Sequence, residues 1–161
     1  MSWYEFDDWV QTTAPRLHRT AFLLTGDWGT AQDLVQHACV QTWPRFASLD
    51  SPEAFARTVM ARTATSWWRC KGRGEIPTGE LPETGADDPW AAVDRAAVVR
   101  EALLSLPVKQ RAVLMLRYLE DLSEADTAAA LGWPLGTVKS TTARALTALR
   151  EAGLDKLEAR P

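Results

Sequence analysis

Arg62, Ser66, Trp67, Arg69, Lys71 and Arg73 stand in a stretch that holds no acidic residue from Ala54 to Gly74. Cations interleaved with aromatic rings suit unpaired nucleic acid. The cations meet phosphates, and each base stacked on a ring contributes about 1–3 kcal/mol. Adjacent Trp67 and Trp68 are separated by about 100° on a helix, so both cannot point inward. Trp67 is expected outward beside the arginines and Trp68 in the core. A second group, Gly136, Thr137, Lys139, Ser140, Thr141 and Arg144, lies in a run from Leu135 to Arg150 that is also free of acids. Small residues at a helix start let the backbone approach a phosphate, where free N–H groups and the helix dipole favour an anion. Lys139 and Arg144 are long enough to reach a guanine edge or a phosphate. A third group, Asp33, Gln36, His37 and Val40, shares one outer helix face. It reads either as a solvated face or, because Val40 is apolar, as a docking face.

The elements that must carry these groups follow from the apolar spacing. Trp3, Phe6, Val10, Leu17, Phe22 and Leu23 recur at roughly helical intervals, and Pro15 is expected to open a second helix there. Thr25 to Gly29 reads as a loop. Thr30 is expected to cap the next helix with Asp33 three residues on, over a stripe of Ala31, Leu34, Val35, Ala38 and Thr42. Ser51-Pro52 starts a third helix, with Ala56, Val59, Met60, Thr63, Ala64, Trp67 and Trp68 toward a core. From Gly74 to Ala91 prolines, glycines and acids replace any hydrophobic period, as in a linker. Beyond it, Val99 to Leu106 marks one helix, and Pro107 opens another with Ala112, Met115, Leu116 and Leu119 apolar. Ser123, Asp126 and Gly132 then bracket a short helix, and Pro134 precedes a long one that buries Leu135, Val138, Thr142, Ala145 and Leu149. Helix, glycine turn and polar-cationic helix make a helix-turn-helix. Its spacing alone fits DNA binding and plain packing equally well. The expected fold is all-α, as two small helical domains over residues 1–74 and 93–161, joined by an acidic linker over 75–92.

Charge restricts the function further. The 161 residues carry a formal net charge of −3. A chain that is basic locally and acidic overall is a weak DNA binder by itself, because phosphate contacts supply most non-specific affinity. That favours a partner that brings the DNA. No apolar run approaches the length of a membrane span, so no membrane insertion is expected, and the acidic, aromatic start is unlike a signal peptide. A cytoplasmic location follows as an expectation. Cys39 and Cys70 have no metal-ligand spacing, and His18 and His37 are the two histidines. No nucleophile elbow, P-loop or metal pattern is present, so neither catalysis nor a cofactor is expected.

Asp33-Leu34-Val35-Gln36 after the TGDW loop resembles the DLVQ segment of bacterial RNA polymerase sigma factors. The basic helix ending in Trp67-Trp68-Arg69 is similar to their region 2. Leu106-Pro107, Gln110 to Val113 and Leu116-Arg117-Tyr118 resemble the start of region 4, and Gly136-Thr137-Val138-Lys139-Ser140 its −35 reading helix. Regions 2 and 4 joined directly are the plan of the extracytoplasmic-function (ECF) sigma factors of the sigma-70 family. The TGDW loop, SWWR and PTGELPE look most like their actinobacterial SigE-type subgroup.

The resemblance implies a non-enzymatic factor that binds core RNA polymerase, through its β and β′ subunits, and directs it to promoter DNA. Asp33, Gln36, His37 and Val40 would face the polymerase. Arg62, Ser66, Trp67, Arg69, Lys71 and Arg73 would meet the −10 element. Arg117, Gly136, Thr137, Lys139, Ser140, Thr141 and Arg144 would meet the −35 element, with Arg117 on a phosphate. An anti-sigma factor is a candidate further partner. The chain departs from the family at His37, usually glutamate, and at Thr141, often arginine. The rival reading is a stand-alone helix-turn-helix regulator binding duplex DNA as a dimer, which leaves the DLVQ helix and the WWR stretch without a role.

Overall fold

The first helix, α1 (Trp3–Thr25), runs straight through Pro15 instead of ending there. An interior proline removes one backbone hydrogen bond and crowds the carbonyl four residues back, at a cost of about 3 kcal/mol. Burial on both sides of Pro15 offsets that. Phe6 packs with Trp9, Trp43 and Phe46 at ring distances of 5.5, 4.8 and 5.3 Å, and Leu17 and Leu24 are fully buried. The expectation of two helices weighed the local penalty and not the shared buried face. Ser2 and Glu5 close a capping box at the start.

The computed structural model describes residues 2–70 and 94–152, the side chains at 69, 70 and 94–96 excepted. Among the described residues the chain is all-α. After α1 come α2 (Trp28–Thr42), a 3-10 turn (Trp43–Ser48), α3 (Pro52–Cys70), α4 (Asp94–Leu104) and α5 (Val108–Leu114). A π-helical turn (Met115–Leu119), α6 (Glu124–Leu131) and α7 (Leu135–Glu151) follow. The expected linker over 75–92 lies outside the described residues.

The cap of α2 differs from expectation. Asp27, not Thr30, is the N-cap: its Oδ2 accepts from the Thr30 N–H at 2.7 Å and from the Thr30 hydroxyl at 2.8 Å. Gly26 takes the left-handed conformation (φ 73°) that ends α1, so two helices meet across two residues and the expected loop shrinks to a corner. The buried stripe of α2 is the one its spacing predicts, Ala31, Leu34, Val35, Ala38 and Thr42. In α3, Ser51 Oγ accepts from the Ala54 N–H, and Ala56, Met60, Ala61, Ala64 and Thr65 are buried.

Glu53, in the first turn of α3, receives both nitrogens of a bidentate pair from Arg16, each at 2.9 Å, and a third bond from Arg57 at 2.6 Å. The Arg16 hydrogen bonds hold its carboxyl below the usual glutamate range, against the opposing effect of partial burial. A folded-state value lowered in this way gives stability that is complete above the unfolded value of about 4.3 and is lost as pH falls through the folded value. Glu53→Gln should therefore lower the urea midpoint at pH 7, and the difference from wild type should shrink below about pH 4. A difference that stays constant between pH 7 and pH 3 would contradict the assignment.

In the second half, α5 buries Val108, Arg111, Ala112, Val113 and Leu114, and Met115 and Leu116 continue the face. Leu119 does not: it is 55% exposed, against expectation. The Glu120 N–H bonds back to the Met115 carbonyl, five residues away, and the Leu122 N–H to that of Leu116. A wider turn of this kind breaks the 3.6-residue phase, so the next apolar position rotates outward. Ser123 Oγ accepts from the Asp126 N–H and caps α6, and Gly132 ends it at φ 69°. A Cβ at Gly132 would meet no heavy atom within 4 Å, so only backbone strain opposes a side chain there. Gly132→Ala is expected to cost about 1–2 kcal/mol in chemical denaturation.

One buried cluster runs from Leu17, Leu34 and Met60 through Val113 and Leu116 to Leu131 and Val138. The two helical units thus share a core: α3 lies against α5 and α6, and α1 against α4 and α5. The apolar periodicity of each unit gave no sign of this, because it reports that a face is buried and not against what.

Candidate nucleic-acid interface

On α2, Asp33, Gln36 and Val40 are exposed and share the face opposite Leu34, with Val40 at 67% exposure. His37 is half-buried and turned toward α3, where its ring meets that of Trp67 at 6.0 Å. It therefore belongs to a second group and not to the outer face.

That second group surrounds a cavity of about 550 Å³. Arg62, Ser66 and Trp67 line it from α3 with Thr58, Val59 and Thr63, and His37 and Gln41 line it from α2. Arg62 and Ser66, four residues apart, are exposed on the same face. None of the lining residues is acidic. Sequence reasoning missed Gln41, Arg45, Phe55, Thr58, Ala129 and Ala130; the Arg45 guanidinium and the Phe55 ring lie 5.6 Å apart, and Phe55 and Thr58 stand on α3 at helical spacing from Arg62, a signal that could have found them. The 3-10 turn after α2 brings Arg45 there, and no helical period connects that turn to α3. Ala129 and Ala130 of α6 complete the lining from the other half. The side chain of Arg69, and Lys71 and Arg73 altogether, fall outside the described residues.

The two tryptophans differ from expectation. Trp68 is not fully buried: both rings are half-buried and both pack on the shared cluster. The 100° between them straddles the edge of the buried face, so each ring is half inside.

On α7, Gly136, Thr137, Lys139, Ser140 and Arg144 are exposed along one side. Thr141 is not among them. It is 8% exposed, between Val138 and Ala145 on the buried stripe, while Leu135, expected inside, is 43% exposed. The stripe runs through 138, 141 and 145, which puts Thr141 inside and turns the first residue of the helix out. Thr141 is thus removed from the DNA-facing set. No heavy atom stands within 4 Å of a Cβ at Gly136, so the first turn of α7 is open to a ligand backbone. Arg117 is half-buried. One of its terminal nitrogens donates to the Leu122 carbonyl, and its guanidinium lies 5.8 Å from the Tyr118 ring. It braces the loop into α6.

Residues 9–74 match the family described as Sigma-70 region 2, and residues 96–149 match Sigma-70, region 4. The chain belongs to the sigma-70 family of RNA polymerase sigma factors. It is 42% identical to the RNA polymerase sigma-E factor of Streptomyces coelicolor over 150 residues, covering 91% of this chain and 85% of that one. The protein of the same description from Streptomyces avermitilis is 43% identical, with 91% and 84% covered. The ECF RNA polymerase sigma factor SigD of Mycobacterium tuberculosis is 34% identical over 132 residues, with 76% and 62% covered. Among solved structures, the sigma factor RpoE of Bartonella quintana, crystallised with the anti-sigma factor NepR, aligns with a TM-score of 0.61. It covers 98% of this chain and 99% of that one at 24% identity, a likeness of fold. The two regions span both halves, so this sigma factor uses core RNA polymerase to initiate transcription at specific promoters. The stand-alone regulator reading is not favoured. No described helix of the sigma factor is long and apolar enough to cross a membrane.

Proposed function

We propose that the outer face of α2, through Asp33, Gln36 and Val40, docks on the β′ subunit of core polymerase, and that the cavity around Arg62, Ser66 and Trp67 receives unpaired bases of the −10 strand. The observation that carries this is the acid-free lining, in which two arginines and two aromatic rings converge from α3 and the 3-10 turn. Aromatic faces beside cations bind unstacked bases without strong sequence preference. Arg69, Lys71 and Arg73 continue the same basic run in the sequence and would meet the strand backbone. His37 supports Trp67 and does not touch the polymerase. The N-terminal side of α7 reads the −35 element beside the β flap, with Gly136, Thr137 and Ser140 in close approach and Lys139 and Arg144 reaching further. Arg117 acts through the loop it braces. The protein works in the cytoplasm, carries out no catalysis of its own, and an anti-sigma factor is a candidate regulator.

Reconstitution with core polymerase tests this. Asp33→Arg combined with Gln36→Glu should weaken co-purification with core enzyme at unchanged helicity. Trp67→Ala should slow promoter opening on duplex DNA and be partly rescued by a promoter with a pre-melted −10 bubble. Full binding by the first variant, or no rescue of the second, would refute the respective assignment.

A further inference from the structure

The cavity beside α3 is elongated, and its two ends are alike. His37, Gln41 and Arg45 follow one another at four-residue spacing along α2 and the 3-10 turn, and form one wall. Phe55, Val59, Arg62, Ser66 and Trp67 share a face of α3 and form the other. Phe55 and Trp67 are separated by about 18 Å along α3, at about 1.5 Å of rise per residue. The walls run in opposite directions, because Arg45 meets Phe55 and His37 meets Trp67. Each end therefore holds an aromatic ring with a nitrogen-bearing companion: the Arg45 guanidinium 5.6 Å from the Phe55 ring, and the His37 ring 6.0 Å from that of Trp67. Arg62 stands between the two ends, and Ala129 and Ala130 of α6 add a wall of small side chains.

This arrangement selects a ligand chemistry. The lining has no acid, and neither Arg45 nor Arg62 pairs with a carboxylate among the described residues. Guanidinium groups in such a setting favour a phosphate, and their flat faces also stack on rings. One base cannot reach both Phe55 and Trp67, so a mononucleotide leaves one end of the groove empty. The volume, about 550 Å³, is that of an ordinary small-molecule site. The complementary ligand carries two flat rings joined through a phosphate. One base would stack at Phe55 and Arg45, the other at Trp67, with the linking phosphate at Arg62. The Gln41 amide and the Ser66 hydroxyl can hydrogen-bond base edges or sugar. These contacts are complete within two nucleotides, and no longer strand is needed to make them.

We propose that the groove between α2 and α3 is a binding site for a free dinucleotide, with one base at each ring and the phosphate at Arg62, and that this ligand competes with the −10 strand. The binding stands on the groove alone, and the competition rests on the −10 reading above. A base–phosphate–base unit is offered both by the displaced promoter strand and by a free dinucleotide, so the experiment has an arm for each.

The first arm titrates the full chain calorimetrically with adenosine monophosphate and with the diadenylate pApA. A second stacked base should raise the affinity about 5- to 150-fold. Phe55→Ala and Trp67→Ala, each checked for unchanged helicity, should bring the diadenylate down toward the monophosphate, while Phe55→Tyr keeps the advantage. Phe55→Leu, which retains apolar volume without an aromatic face, carries the test if the alanine variant loses helicity. Arg62→Gln should weaken both probes and make binding less sensitive to salt. Equal affinity of wild type for the two probes, no heat with diadenylate in excess, or an equal loss for both probes in both ring variants would overturn the site. The second arm follows opening of a duplex promoter by the protein with core polymerase, read by a fluorescent base analogue in the −10 element. Diadenylate should slow opening in step with its occupancy. Binding of diadenylate with opening unchanged would overturn the competition, and with it the −10 assignment, and leave the site standing. Absence of diadenylate binding, with opening still slowed by Trp67→Ala, would strike the site and leave the −10 assignment.

Discussion

Leu34→Ala is expected to lower the stability of the protein by about 2–5 kcal/mol, the range for truncating a fully buried leucine. Leu34 has no exposed surface and lies in the shared cluster, on the side of α2 opposite Asp33, Gln36 and Val40. Domains have only about 5–15 kcal/mol in total, so this one change removes a large part of the margin. Urea denaturation followed by circular dichroism reads it directly. The expected pattern separates packing from docking: Leu34→Ala loses polymerase binding together with helicity on mild warming, while the Asp33 and Gln36 variants lose binding with helicity intact. A midpoint change worth less than about 1 kcal/mol would mean that the core around α2 relaxes to fill the space.

The second large effect concerns α7. Lys139 and Arg144 are exposed cations in the first three turns of the helix, on the side that carries Gly136, Thr137 and Ser140. A bidentate base contact contributes about 1–3 kcal/mol of discrimination, and a phosphate contact weakens all sequences alike and lowers the salt slope by about one. Arg144→Ala should relax preference at one or two −35 positions. Lys139→Ala should weaken every promoter with a shallower salt dependence. Transcription from a library randomised across the −35 element, with core polymerase present, separates the two. Should the double alanine variant keep both promoter choice and affinity, α7 would be a packing element and its reading role would fall. Arg117→Ala gives a useful contrast. Because its guanidinium bonds to the Leu122 carbonyl, its loss should appear first as reduced stability and only then as weaker binding.

Much of this architecture was legible in the sequence where local chemistry and burial agree. Ser123, Gly132 and Pro134 bracket the helix-turn-helix as their types require, and the stripe of α2 is the one its spacing predicts. Reading failed where a tertiary contact outweighs a local rule. Pro15 is tolerated because buried residues flank it on both sides. Thr141 is inside because a polar hydroxyl gives no hint of the face it occupies on a helix with few large apolar residues. Leu119 turns out because one wider turn breaks the period. The cavity was half legible: Phe55, Arg62, Ser66 and Trp67 share a helix, whereas Arg45 joins them only through the path of the chain. The pairing of Arg57 with Glu120 spans 63 residues and no pattern within either half foretells it.

The shared cluster has a calorimetric consequence. When Leu17 and Met60 of one half and Val113 and Val138 of the other bury each other, neither half can melt while its neighbour stays native. The protein should then show one heat-absorption peak, with calorimetric and van't Hoff enthalpies equal. The number of thermal transitions therefore counts how many folding units the chain contains, and the shared cluster sets it at one.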